Sequence, residues 1–226
     1  MMINQGMKKI FSVYGTAFFV MFVLELVLLY VYPKLELHLM LNSCHTDIQD
    51  TFFKYYSILA EWPLYILALL PLCWKKGRLT AFFAVSEIIG GTIAFILKQS
   101  IRCMRPVELF DDGILPLVEG VKMHHRNSFP SGHSSTFFVF FTCFALVLAY
   151  WYQQNASQLG SRKKILMYFA MFMLFVFPAL GAYSRVYLSQ HFLMDICVGS
   201  LIGFVVPCIV FHFGKNIILK QKTEIE

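Results

Sequence analysis

The chain has 226 residues, 58% of them hydrophobic and 14% charged, with a formal net charge of +6. A soluble domain of this length carries about a quarter charged residues; the shortfall, 24 phenylalanines and a mean hydropathy of +0.64 exclude an ordinary water-soluble globule and indicate a polytopic membrane protein. The positive charge does not indicate a nucleic-acid binder, because the basic residues sit in short segments between apolar runs and form no surface stripe.

A membrane span needs about 20 predominantly apolar residues. In chain order six runs qualify, at roughly 11–32, 55–74, 79–98, 134–152, 165–183 and 193–213. The first is too long for a signal-peptide core and lacks a small-residue cleavage site, so it reads as a retained span. The segment 33–54 mixes apolar and polar residues, and reads as a plain connection or as an amphipathic helix along the interface. Glu25, Glu61 and Glu87 fall inside spans or at their ends. Carboxyls at that depth raise a functional hypothesis, and a neutral or interhelically bonded structural group is the favoured reading. No repeat, low-complexity tract or linker divides the chain, so one domain covers 1–226. The fold class expected is all-α, a membrane bundle of six transmembrane helices.

Orientation follows from the basic residues. Lys8-Lys9, the "KKGR" at 75–78, the connection 153–164 and the tail from Lys215 share one side if the spans alternate, and they hold 11 of the 19 Lys and Arg. Positive charge is retained in the cytoplasm, so both termini are expected there. The other side still carries Lys34, Lys54, Lys98, Arg102, Arg105, Lys122, Arg126 and Arg185, which topology alone does not explain. Of the six cysteines four lie in apolar runs, and none forms a CxxC, so neither a zinc site nor a redox pair is indicated. A Cys44–Cys103 disulfide is conceivable if both loops face outward.

Three polar clusters converge on the outer side. The first is "KQSIRCMRP", Lys98 to Pro106. Lys98 and Arg105 are two helical turns apart and share a face if the helix continues; Pro106 predicts its end near Arg105. The second is Pro130-Ser131-Gly132-His133, a turn leading into the fourth span. A helix starting here aims free N–H groups and a positive dipole end at the cluster, which favours an anion. Ser131 can donate a hydrogen bond, and His133 can exchange a proton near neutral pH. The third is "SRVYLSQHFLMD", Ser184 to Asp195. It adds Arg185, and it spaces His191 and Asp195 as neighbours on one helical face. A carboxylate on one ring nitrogen leaves the other nitrogen's lone pair outward, as in nucleophile–orienter pairs.

Each cluster alone has an ordinary explanation: snorkelling cations, a capped helix start, a structural His–Asp bond. Together they place two histidines, a carboxylate, three cations and a helix N-terminus at one membrane level. Three cations call for roughly dianionic company, and the forked donors of arginine match phosphate oxygens.

Lys98-(six residues)-Arg105-Pro106, Pro130-Ser131-Gly132-His133 and Ser184-Arg185-(five residues)-His191-(three residues)-Asp195 resemble the three-part signature of the type 2 phosphatidic acid phosphatase (PAP2) superfamily. All three parts are complete and in order, and they cover Lys98 to Asp195. The resemblance implies a six-helix fold and metal-independent hydrolysis of phosphate esters, with no cofactor. It implies that His191 attacks phosphorus, Asp195 orients His191, and His133 protonates the leaving oxygen. Lys98, Arg105, Ser131, Gly132 and Arg185 would hold the phosphate. The residues by themselves do not decide which histidine attacks; the His–Asp pairing favours His191.

The expected substrate is a lipid phosphate reaching the site laterally from the bilayer, at the outer face of a bacterial inner membrane. Undecaprenyl diphosphate, lipid A, phosphatidylglycerol phosphate and phosphatidic acid are the candidates. No obligatory protein partner is indicated. The rival reading is a protein that binds or transports a lipid phosphate without turnover; the position of the motifs at span ends counts against it, since transport sites lie near midmembrane. Arg102, His124, His125 and Arg126 could read a headgroup, and solvated loop charge is the more ordinary reading.

Overall fold

The computed structural model describes residues 5–61, 65–70 and 76–218. Helix α1 covers Gln5–Val31, α2 Lys34–Leu41 and α3 Asp47–Ile58. Then follow α4 (Gly77–Ile101), a short 3-10 turn (Pro106–Glu108), α5 (Gly132–Asn155), α6 (Ser161–Tyr187) and α7 (Leu193–Ile218). Among the described residues the regular structure is all helical, and five helices are long and apolar enough to cross a membrane: α1, α4, α5, α6 and α7. Six spans were expected. The run 55–74 begins in the end of α3 and is helical again at 65–70, while residues 62–64 and 71–75 lie outside the described residues.

Helix α5 is the centre of the bundle. It packs against α1, α4, α6 and α7, and 56% of its apolar window is buried against 17% for α1. On α1, Phe19, Leu24 and Tyr30 face outward, as suits a helix whose outer surface meets lipid rather than water. Its inner face is pinned by aromatic rings, with Phe18 stacked on Phe204 at 4.1 Å between centroids.

Between α5 and α7 the two backbones approach each other directly. Gly199 and Gly203 stand four apart on α7, and a Cβ built on them would lie 2.5 Å from the Ser131 carbonyl oxygen and 2.4 Å from that of Ser135. Small residues at this spacing let two helix backbones touch. The N-terminal end of α5 is therefore locked against the N-terminal end of α7, and Ser131 N–H donates to the Asp195 carbonyl oxygen at 2.9 Å.

Two expectations need correction. Helix α4 does not carry Arg105. It stops at Ile101 because Arg102 turns into the left-handed region (φ 50°) and its N–H returns to the Lys98 carbonyl. Arg105 follows in extended backbone ahead of Pro106, so it shares no helical face with Lys98. The segment 33–54, expected as a plain connection or one amphipathic helix, is two helices. It forms α2 and most of α3, joined by a tight turn where Thr46 caps α3 by accepting from Gln49 N, and both helices pack on α6. Cys44 and Cys103 are both free.

Replacing Gly203 by alanine should lower the thermal unfolding midpoint in detergent. The added methyl meets backbone on α5 and cannot be accommodated by a rotamer change, an overpacking cost of about 1–3 kcal/mol. An unchanged midpoint would show that α5 and α7 can move apart freely.

Candidate active site

The site forms where four chain segments reach the same end of the bundle. These are the end of α4 with the loop to Arg105, the start of α5, the end of α6, and the turn 188–192 into α7. Consecutive helices alternate in direction, so polar clusters at a C-terminus, an N-terminus, a C-terminus and an N-terminus fall together.

His191 and Asp195 are not neighbours on a helix face, as their spacing suggested. Helix α7 begins at Leu193, so His191 lies in the turn before it and Asp195 in the first helical turn. The Asp195 carboxylate reaches back to accept from Phe192 N at 3.0 Å, half of a capping box. The same oxygen, Oδ2, lies 3.3 Å from His191 Nδ1 and accepts from the Ser128 hydroxyl. Ser128 Oγ is itself 3.4 Å from His191 Nδ1. Asp195 thus caps its helix and orients the imidazole with one oxygen. Nδ1 faces a carboxylate acceptor, so it carries the ring proton and leaves Nε2 with a free lone pair.

His191 is 2% exposed. Burial drives its pKa from 6.5 down to about 3, against the opposing pull of Asp195 and with help from the positive charge of Arg105 and Arg185. The imidazole is neutral at physiological pH, the state a nitrogen nucleophile requires.

One of the cations, Arg105, is held by backbone carbonyls. Arg105, 7% exposed, donates from Nε to the Arg126 carbonyl at 3.1 Å and from Nη1 to the Gln190 carbonyl at 3.0 Å. Its own N–H is bonded to the His125 carbonyl at 3.0 Å. Arg185, 6% exposed, has Nε buried without a hydrogen-bond partner among the described residues. A buried guanidinium without an acceptor is costly unless an anion completes it. Lys98 and His133 line a common cavity of about 390 Å³ with Glu61, Gly91, Ala94, Phe95 and Thr136. His133 lies within electrostatic reach of Arg185, His191, Lys98 and Arg105. The structure therefore gathers His133, His191, Asp195, Lys98, Arg105 and Arg185 at one place.

Ser131 and Gly132 sit where the sequence put them, at the start of α5. Ser131 is the N-cap: its buried Oγ accepts from Ser134 N at 3.3 Å and from Ser134 Oγ at 3.0 Å. Its oxygen is occupied by capping, which leaves its hydroxyl proton as the group that can meet a phosphate. Gly132 is the first helical residue, so its N–H is one of the free donors of that helix end.

Sequence reasoning missed Ser128, and it missed the carbonyls that hold Arg105. Serine two residues before a Pro-Ser-Gly turn has no signature, and carbonyl groups have none at all. His125 pairs with Glu108 on the rim. His124 is exposed and its pKa is lowered by partial desolvation and by the nearby charge of Arg105, Lys122, Arg185 and Lys98. Of the carboxyls at membrane depth, Glu87 accepts from Thr136 Oγ1 at 2.6 Å, a bond between α4 and α5, while its Oε2 has no partner among the described residues. Glu25 is buried with Oε2 unpartnered among the described residues.

A family model described as PAP2 superfamily matches residues 79–218, more than half the chain. Dolichyldiphosphatase 1 of Dictyostelium discoideum is 26% identical over 208 residues, covering 82% of this chain and 83% of that protein. A Drosophila melanogaster protein named as a phosphatidate phosphatase is 36% identical over 100 residues; the match is 44% of this chain and spans about a quarter (24%) of that protein's length. Among solved structures, Aquifex aeolicus LpxE aligns with a TM-score of 0.63 and 22% identity over 81% of this chain and 98% of that one. A transmembrane PAP2-type phosphatidylglycerolphosphate phosphatase from Bacillus subtilis aligns with a TM-score of 0.62 and 17% identity over 92% and 98%. At these identities the two structures establish the fold.

The depressed His191 pKa has a consequence for stability. Between about pH 6.5 and pH 3 the unfolded chain binds a proton at this residue and the folded chain does not. Stability should therefore fall as pH drops through that window, by up to about 1.4 kcal/mol per pH unit from this group. Unfolding midpoints of the detergent-solubilised protein from pH 7 to pH 4 check this: His191→Gln should show a shallower acid slope than the unsubstituted protein, and equal slopes would refute a neutral buried imidazole.

Proposed function

The chain belongs to the PAP2 superfamily, and on that premise we propose that it is an integral membrane phosphatase that hydrolyses a phosphate monoester or diphosphate of a lipid through a phosphohistidine on His191. The observation that carries the proposal is the buried cation cluster beside an oriented, neutral imidazole. Arg185 Nε has no acceptor among the described residues, and Asp195, the carboxylate hydrogen-bonded into the cluster, is already engaged by His191, Ser128 and Phe192. A dianionic phosphate supplies the acceptors and the charge that the protein withholds.

In the proposed reaction the His191 Nε2 lone pair attacks phosphorus and the bond to the lipid oxygen breaks. Asp195 accepts from Nδ1–H and stabilises the positive charge that develops on the ring. His133 gives its proton to the departing oxygen; it lines the cavity beside Lys98, whereas His191 does not line it. In-line displacement requires acid and nucleophile on opposite sides of the phosphate, and the proposed reaction assigns His133 and His191 to those two sides. Water then attacks the phosphohistidine, giving up a proton to His133 and releasing inorganic phosphate. Lys98, Arg105 and Arg185, with the Gly132 N–H and the Ser131 hydroxyl, hold the equatorial oxygens and stabilise the transition-state charge without invoking a metal.

The cavity is apolar away from the chemistry, with Gly91, Ala94 and Phe95 along α4, and Phe95 is 62% exposed where lipid would lie. That supports lateral access, with the tails in the bilayer and the phosphate at the interface. The names of the relatives supply the substrate arms: a polyprenyl diphosphate, phosphatidylglycerol phosphate and phosphatidic acid, to which lipid A is added. The charge distribution of the chain supports cytoplasmic termini and a site on the opposite face of the cell membrane.

Purified protein should release phosphate from at least one of these lipids without added metal. His191→Ala should abolish release, and His133→Ala should slow it by about 10²–10⁴-fold, the range for loss of a general acid. Acid-labile label on the protein from a ³²P-labelled lipid should disappear in His191→Ala. Binding of the lipid phosphate with no release by any preparation would favour a carrier without turnover.

A further inference from the structure

The turn that carries His191 is built from unfavourable parts. Ser189 sits at φ 51°, a left-handed conformation that costs a non-glycine residue about 1 kcal/mol or more. The turn is closed by Ser189 N to the Val186 carbonyl at 2.9 Å, and by Gln190 N and His191 N to the Arg185 carbonyl at 3.0 and 3.1 Å. Something outside the turn has to hold it.

That something is α2 and the turn after it. Lys34, His38 and Asn42 recur every four residues, so they present one face. Lys34 Nζ stands 3.9 Å from the centroid of the Phe192 ring. His38, 1% exposed, packs edge-on to Phe192 at 5.1 Å. Asn42 donates from Nδ2 to the Ser189 hydroxyl. The residues on either side of Gln190-His191 are therefore gripped from one surface.

Asn42 is in turn held from behind. His45 Nε2 lies 2.6 Å from Asn42 Oδ1, and His45 Nδ1 lies 2.7 Å from Asp50 Oδ1. Tyr187 OH donates to the same Asp50 oxygen at 2.5 Å, and the His45 ring stacks on Tyr187 at 4.1 Å. Tyr187 ends α6 two residues before Ser189, so the chain of contacts closes on the turn it supports.

We propose that Asn42, braced by His45, Asp50 and Tyr187, is a positioning residue that clamps the Ser189 turn and so sets the His191 imidazole in line with phosphorus. None of these side chains belongs to the phosphate-binding set, and they act only through the turn. The kinetic consequence rests on the phosphatase reading; the structural one does not. A nucleophile displaced by about 1 Å loses on the order of 10² in rate; the loss falls mainly in kcat, with a smaller rise in KM because the Gln190 carbonyl of the same turn accepts from Arg105 Nη1.

The test compares Asn42→Ala, Ser189→Ala and the double variant by lipid-phosphate turnover and by amide hydrogen exchange of residues 187–191. Each single variant should lower kcat about 10- to 100-fold, with any rise in KM smaller than the fall in kcat, and the double should lose no more than the worse single, since both delete one bond. Ser189→Gly is the variant that cannot fail through strain: it suits the left-handed backbone yet removes the hydroxyl, so kcat should still fall while the unfolding midpoint holds or rises. Unchanged kcat in Ser189→Gly, multiplying losses in the double variant, or a loss confined to KM overturns the clamp. If the unsubstituted protein turns over no lipid phosphate, the phosphatase reading falls and exchange decides alone: faster exchange of the Ser189–His191 amides in Asn42→Ala supports the clamp, and unchanged exchange overturns it.

Discussion

The backbone contact between α5 and α7 is the constraint on which the rest of the site depends. Two glycines on α7 bring its first turns against the carbonyls of α5, and the Ser131 N–H to Asp195 carbonyl bond ties the two helix starts together. Both N-termini then point at one volume, and both dipoles favour an anion there. A larger residue at either glycine would meet that backbone and force the two helix starts, and with them His133 and His191, apart.

Around that contact the protein keeps its charges in a deliberate imbalance. Arg105 is fixed by carbonyls rather than by a carboxylate, and Asp195 is spent on its own helix end, Ser128 and His191. Neutral partners hold a cation in place without cancelling its charge. The buried positive potential stays available for a ligand, and it adds to the burial that chiefly keeps the His191 ring unprotonated.

The bundle gives the two histidines different surroundings. His133, at the start of α5, lines the cavity. His191 is buried in the turn before α7, where α2 packs on the neighbouring Phe192. Helices α2 and α3 are therefore more than a connection between spans: both pack on α6, and α2 with Asn42 carries the contacts that reach the turn before α7.

By itself the sequence determined the membrane class, the all-helical fold, the alternation of spans and the identities of the polar groups at one end of the bundle. Apolar run length and charge content depend on composition along the chain, and a three-part motif is readable because its side chains are unusual for membrane depth. Tertiary structure alone decided how those groups are held. Arg105 left its expected helix because Arg102 takes a left-handed turn. The His191–Asp195 contact is a capping geometry rather than a helical one. Ser128, the carbonyls of Arg126 and Gln190, and the face formed by Lys34, His38 and Asn42 act through long-range contacts. Carbonyl oxygens and common polar side chains carry no signal in a linear pattern; their meaning arises only when folding brings residues 42 and 189, or 128 and 195, within hydrogen-bond reach.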